Sequence, residues 1–249
     1  GCENDAGRLV HHPGVTISVV IPTLNEEATI AATLRSTAHL GFHEIIVVDG
    51  GSTDRTVAVA NSFVSTTPHA ARSAVRLLSS PPGRAQQLNA GAKAAGGDVV
   101  LFLHADTHPP PSAASSIETV LADDRAVGGR FDVQFDSLSP WGSVIAGLMN
   151  LRSRMTGICT GDQALFVRKS VFTRLQGFAD IPLMEDVEFT ARLKRQGRIV
   201  ALHDRVTTSF RRWEKGGPLR TILLMWTLRL LYWIGMSPHR LTRVYRHVR

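Results

Sequence analysis

The sequence predicts an α/β fold, a mostly parallel, Rossmann-like sheet with helices on both faces and a C-terminal amphipathic helix. Three observations lead there. Apolar runs too continuous for half-exposed strands, Thr16–Ile21, Glu44–Val48 and Val99–Leu103, alternate with helical patterns in the first part of the chain. Each run ends in a polar or Gly/Pro-rich turn. A chain of 249 residues with 43% hydrophobic content can bury one large core or two small ones, which excludes a disordered chain.

Thr16–Ile21 is a β-branched strand stopping at Pro22, after which Asn25 reads as the N-cap of a helix with Glu26 and Glu27 in its first turn. Ala28, Ile30, Ala31, Leu34 and Ala38 supply its buried stripe, and Gly41 ends it. Glu44–Val48 is a second strand running into Asp49-Gly50-Gly51-Ser52-Thr53-Asp54, a turn whose glycines permit close backbone approach and whose Ser52 or Asp54 can cap the next helix. Val75–Leu78 is a third strand, and Arg84–Ala95 a helix ended by Gly96-Gly97. After the strand 99–103 come His104-Ala105-Asp106-Thr107 and three prolines, where the alternation fades.

Ala126–Phe135 alternates apolar and polar residues, which predicts a half-buried antiparallel strand. Trp141–Met155 is a helix, Ala164–Val167 a short strand, and Ser170 caps a turn of helix ending at Gly177-Phe178. Glu185 and Asp186 lie in the first turn of a helix that Pro182 opens, where the helix dipole favours ionised carboxylates. The organisation expected is a flexible N-terminus (1–15), one α/β domain (16–210) in two halves (16–108 and 109–210), and a helical extension (211–249).

Charge is segregated. The formal net charge is +7, yet residues 211–249 hold nine Lys/Arg against one acid, so the body is near neutral and the tail is basic. Leu219–Ile234 is nearly all apolar but carries Arg220 and Arg229. An Arg near the centre of a span costs about 2.5–3.5 kcal/mol on insertion scales, which favours a helix lying in the membrane interface over one crossing it. Packing of this helix on the protein's own core is the other reading. Residues 1–14 have no apolar signal-peptide region, and Cys2 and Cys159 are far apart and fit free thiols. The expectation is a cytoplasmic protein, peripheral on the inner face of the membrane if 218–249 attaches there.

Candidate chemistry falls at the strand ends. Asp106 sits at the carboxyl end of the central strand, where open α/β sheets bind ligands and a divalent cation could meet a diphosphate. A nucleotide can lie against the Asp49–Gly51 turn. Arg84 can pair with a phosphate, and Asp186 can act as a general base. The plain alternatives are turn capping by Asp49 and Asp106, a solvated helix-end Arg84, and helix capping by Glu185 and Asp186.

Taken in order, Val20-Ile21-Pro22-Thr23-Leu24-Asn25-Glu26-Glu27, Val47-Val48-Asp49-Gly50-Gly51-Ser52-Thr53-Asp54, Asn89-x-Gly91, His104-Ala105-Asp106 and Glu185-Asp186 resemble the family 2 glycosyltransferases of GT-A fold over roughly residues 16–213. Gly161–Phe166 and Arg211-Arg212-Trp213 resemble a small bacterial subgroup encoded near radical-SAM or selenium-related genes. The resemblance implies that Pro22, Glu26 and Asp49 contact the nucleoside of a sugar donor, most readily a UDP-sugar. It makes Asp106 the last carboxylate of the D-x-D motif that holds Mg²⁺ or Mn²⁺, with His104 standing where the first Asp is usual. Leu88 replaces the Arg of the family's A-R-N stretch, so Arg84 is the substitute phosphate contact, and Arg212 is a further diphosphate contact. Asp186 matches the base of the E-D motif, with Glu185 beside it, in a single displacement with inversion. The acceptor is undefined. A nucleotidyltransferase on a similar sheet is the rival enzyme, but such enzymes usually carry a Gly-rich loop with Arg and Lys directly after the first strand, and Pro22-Thr23-Leu24-Asn25 is not one. An inactive membrane- or nucleic-acid-binding module remains the other class, although no nucleic-acid partner is expected.

Overall fold

The computed structural model describes residues 14–66 and 73–248. Cys2 and most of the expected flexible N-terminus lie outside them. β1 (Ile17–Thr23), α1 (Ile30–Thr37), β2 (Glu44–Asp49), α2 (Thr56–Thr66), β3 (Ala74–Ser79), α3 (Arg84–Ala94) and β4 (Val99–Phe102) form the alternating first half. β5 (Thr107–His108), α4 (Ala113–Leu121), β6 (Ala126–Phe135), α5 (Pro140–Thr156), a 3₁₀ turn at Gly161–Gln163, β7 (Phe166–Arg168), α6 (Lys169–Arg174), α7 (Glu185–Leu193) and β8 (Arg198–Thr208) follow. The chain continues with α8 (Arg211–Gly216), α9 (Pro218–Trp233) and α10 (Pro238–Val248).

One eight-stranded sheet runs β3-β2-β1-β4-β7-β6-β8-β5. β1 to β4 pair in parallel, so their carboxyl ends share one edge. β7 is antiparallel to β4, which brings the turn preceding it to that same edge, and Phe102 N–H donates to the Leu165 carbonyl there at 2.8 Å. Alternate residues of the buried strands feed two cores. Val19, Ile21, Ile45, Val47 and Leu101 pack beneath α1, α2, α4 and α5. Val20, Ile46, Val48 and Val100 pack against α3, α6 and α7, where Phe102, Phe172, Phe178 and Phe189 interlock with ring centroids 4.6–5.5 Å apart. Edge-to-face and tilted aromatic pairs at such spacings add about 0.5–1.5 kcal/mol each beyond area burial.

Several local expectations are corrected. β1 continues through Pro22 to Thr23. Asn25 is not a helix cap: its φ is 56° and its Oδ1 accepts from Thr53 N–H at 2.8 Å, tying two loops of the sheet edge together, while α1 begins only at Ile30. Ser170 lies inside α6 rather than capping it. β6 is almost wholly buried, antiparallel to β7 and parallel to β8. Its polar positions look outward-facing in sequence but are paired internally, since Arg130 is 1% exposed and bonds Asp132, which Arg154 also meets at 2.7 Å. Asn150 of α5 exchanges bonds with the Val133 backbone at 2.9 and 3.0 Å, fixing that helix on the strand. The basic C-terminal stretch is helical: α10 sets Leu241 and Tyr245 against α9, forming with Met184 a third apolar cluster. Among the described residues no helix is long and apolar enough to cross a membrane.

Candidate active site

The shared strand edge gathers the candidate residues because parallel strands end there and the loops that follow must turn over it. Asp49, 4% exposed, closes β2 and folds its own loop: Oδ2 accepts from Gly51 and Ser52 N–H, both at 2.9 Å, and Oδ1 accepts from the Ser52 hydroxyl at 2.5 Å. Pro22 is the penultimate residue of β1. Glu26, just beyond it, accepts from the Thr29 hydroxyl at 2.9 Å, and burial pushes its pKa up against the lowering effect of that bond.

Asp106 follows β4. Arg211 of α8 places Nη2 3.6 Å from Asp106 Oδ2 and 3.7 Å from Glu26 Oε2, so one guanidinium faces both carboxylates. Two carboxylates that converge on a cation have the donor chemistry of a hard divalent ion. No group of three His, Cys, Asp or Glu that could hold a metal occurs among the described residues.

His104, two residues before Asp106, is held on both sides. Nε2 faces Arg84 Nη2 in a short contact and Nδ1 stands 3.3 Å from Asp162 Oδ1. Arginine can only donate, so Nε2 is the acceptor nitrogen and Nδ1 carries the proton toward Asp162. Arg84 turns its Nε to Glu185 Oε1 at 2.9 Å. Burial raises the Glu185 pKa, the Arg84 charge opposes this, and neighbouring Asp186 adds to it. The chain Asp162–His104–Arg84–Glu185 thus spans from the turn before β7 to the start of α7. Gly161 is confined by it, because a Cβ there would collide with the Arg84 guanidinium and the His104 ring.

Asp186 is anchored to that same turn. Its Oδ2 accepts from Gly161 N–H at 2.8 Å, and its Oδ1 accepts from Val187 N–H at 2.8 Å. Each oxygen keeps a second lone pair, as a proton acceptor requires. Next to these groups opens a cavity of about 420 Å³ between α5 and α9, with His104, Asp106 and Asp162 at its polar end.

The structure therefore brings Glu26, Asp49, Gly51, Arg84, His104, Asp106, Glu185 and Asp186 to one edge with Pro22. The side chain of Arg212 lies outside the described residues. Sequence reading passed over Asp162, Arg211, Arg152 and Arg229. Asp162 and Arg211 sat inside quoted stretches, and Arg229, a charge in mid-apolar helix, carried a signal; Arg152 carried none. Cys159 is a buried free thiol whose pKa burial pushes up to about 12, which makes it inert at neutral pH.

A mixed, mostly parallel sheet with helices around it matches the GT-A glycosyltransferase fold, and solved structures of that kind superpose on it. Staphylococcus aureus TarS (residues 1–349) in complex with UDP-GlcNAc matches with a TM-score of 0.62 at 21% identity, covering 78% of this chain and 58% of that one. The mannosyltransferase PcManGT from Pyrobaculum calidifontis, in complex with GDP-Man and Mn²⁺, gives 0.61 at 23% identity, covering 78% and 56%. Glucosyl-3-phosphoglycerate synthase from Mycobacterium tuberculosis, with Mn²⁺, UDP and glucosyl-3-phosphoglycerate, gives 0.56 at 24% identity, covering 77% and 71%. The chain belongs to glycosyl transferase family 2, whose family model matches residues 18–174. It is 28% identical over 201 residues to a probable glycosyltransferase, YdaM, of Bacillus subtilis (strain 168), covering 73% of this chain and 47% of that protein. The chain spans half or less of the length of the curated relatives it matches.

Proposed function

We propose that the chain moves a sugar from a nucleoside-diphosphate donor, a UDP-sugar in the first instance, to an acceptor hydroxyl with inversion at the anomeric carbon. The observation that carries the proposal is that Asp106, from the first half of the chain, lines one cavity with His104 and Asp162, and that Gly161, next to Asp162, donates its N–H to Asp186 of the second half at 2.8 Å. Neighbours complexed with UDP or with GDP-Man and Mn²⁺ support the donor class.

In this reading residues 16–108 hold the donor. Pro22, Glu26 and the Asp49–Gly51 loop meet the nucleoside, Asp49 through a carboxylate whose loop it also shapes. Arg84, Arg211 and Arg212 face the diphosphate, and His104 positions Arg84. Asp106 would hold Mg²⁺ or Mn²⁺, and such an ion, when bound, neutralises charge on the departing diphosphate. Asp186 takes the proton from the acceptor hydroxyl, the freed oxygen attacks the anomeric carbon, and the bond from that carbon to the diphosphate breaks to release the nucleoside diphosphate. Glu185, held by Arg84, fixes the start of α7 and hence Asp186. Residues 109–210 and the extension serve the acceptor. The radical-SAM- or selenium-associated subgroup belongs to the same proposal, resting on Gly161–Phe166 and Arg211–Trp213.

Membrane attachment through 218–249, on a cytoplasmic face, is part of the reading. Leu219, Leu223, Trp226, Leu230 and Trp233 are exposed on α9 at helical spacing, and Arg240 and Arg243 are exposed on α10. Hydrolysis of a panel of UDP- and GDP-sugars, with water as acceptor, tests the chemistry by proton NMR. The first-formed sugar should carry the inverted anomeric configuration; a retained one, or no turnover with any donor, contradicts the proposal.

A further inference from the structure

The cavity between α5 and α9 is unlike a sugar site. Its walls are Ile145, Met149, Ile222 and Met225, and its rim is Leu148, Leu151, Met155 and Trp226, which are 46%, 55%, 78% and 63% exposed. Into this apolar space project two arginines, Arg152 from α5 and Arg229 from α9. Their buried Nε atoms, and Arg152 Nη2, have no hydrogen-bond partner among the described residues. A buried guanidinium nitrogen without an acceptor is costly, because the desolvation of a charged donor is not repaid. Two of them side by side repel as well. Burial pulls the Arg152 pKa down to about 10, with Arg229 adding to the effect, while Asp186 opposes it. Burial likewise lowers Arg229, against Asp186 and Asp162. Such a site is completed by an anion.

We infer that this cavity is the acceptor subsite and takes an anionic, hydroxyl-bearing membrane lipid, whose charged headgroup is met by Arg152 and Arg229 and whose hydrocarbon chain lies along Ile145, Met149, Ile222 and Met225 toward the exposed rim. The inference rests on the proposed function and narrows its acceptor. Its source is a membrane because the rim runs into the exposed Leu219–Trp233 stripe of α9, backed by exposed Arg240 and Arg243, which together suit an anionic lipid surface. A hydroxyl on a headgroup held there lies on the cavity side of Asp162, beside the turn that anchors Asp186.

The test uses the full chain and decyl phosphate below its micelle concentration, followed by quenching of the cavity tryptophans Trp213 and Trp226. Decyl maltoside and inorganic phosphate serve as the neutral-amphiphile and headgroup-only probes. Saturable binding of decyl phosphate is expected, with both other probes at least about tenfold weaker. Arg152→Gln and Arg229→Gln should each weaken decyl phosphate about tenfold or more and leave decyl maltoside unchanged. Equal binding of decyl phosphate and decyl maltoside by the unsubstituted protein overturns the inference, whatever the variants do. Inorganic phosphate binding as tightly as decyl phosphate overturns the lipid half of it. A parallel titration of the unsubstituted protein with UDP and GDP in Mn²⁺ separates this outcome from failure of the donor-site reading.

Discussion

Arg84→Gln isolates the ion pair on which the start of α7 depends. Arg84 Nε lies 2.9 Å from Glu185 Oε1, and the Glu185 side chain is 8% exposed against 38% for Arg84. Removing one partner of a fully buried pair costs about 3–5 kcal/mol, because the other charge is stranded. Arg84 is more than a third exposed, so water screens the pair and the expected loss falls to about 1–2 kcal/mol. For a chain of this length that lowers Tm by roughly 2–8 °C. The pH dependence fixes the cause. Burial already raises the Glu185 pKa above its ordinary value of 4.5, and losing Arg84 raises it further. A carboxyl raised on folding favours the folded state most at low pH and loses that contribution as pH rises through the folded value. The variant's deficit should therefore be largest at pH 7–8 and shrink toward pH 5, and Glu185→Gln in the Arg84→Gln background should recover most of it. Thermal denaturation of the unchanged chain, Arg84→Gln, Glu185→Gln and the double variant across that range checks this. A deficit independent of pH and untouched by the second substitution would refute the reasoning.

Asp186→Asn keeps the side chain's shape but only one of the two oxygens that accept from Gly161 and Val187, and it cannot take a proton, so turnover should drop about 10²–10⁴-fold, measured by donor consumption, with a stability loss of about 1–3 kcal/mol in a parallel melt. Arg211→Gln removes an ion pair that is half exposed on the Arg side; stability should move by less than about 1 kcal/mol while nucleoside-diphosphate affinity by calorimetry falls several-fold. Gly91→Ala puts a methyl group into Val20 and 3.0 Å from Val48 Cγ2, and overpacking of this kind should cost about 1–3 kcal/mol in chemical denaturation.

Much of the first half was legible because β1, β2 and β4 are buried on both faces and so read as unbroken apolar runs, and β2, β3 and α3 fall within a residue or two of expectation. The failures have separate causes. Asn25 resembles a cap by residue type, yet its side chain serves a neighbouring loop. β6 looked half-exposed because Arg130 and Asp132 neutralise each other in the interior, which no alternation rule anticipates. β8 went unseen because its residues are mostly half-buried and its pairing with β6 has irregular register. α4 had a readable stripe in Ala113, Ala114, Ile117 and Leu121, masked by the prolines before it. At the site, motif order placed the three aspartates, but contacts between distant segments were invisible. Arg84 meets Glu185 and His104, and the cation on Asp106 comes from Arg211, whose neighbour Arg212 had been expected at the diphosphate.

Calorimetric titration of UDP, GDP and dTDP, with and without Mn²⁺, on the unchanged chain and on Asp106→Ala tests the central claim most directly. The account predicts that one nucleotide binds in a metal-dependent manner and that Asp106→Ala abolishes the metal dependence. Binding of no nucleotide under any condition, or metal-dependent binding undiminished in Asp106→Ala, would contradict it.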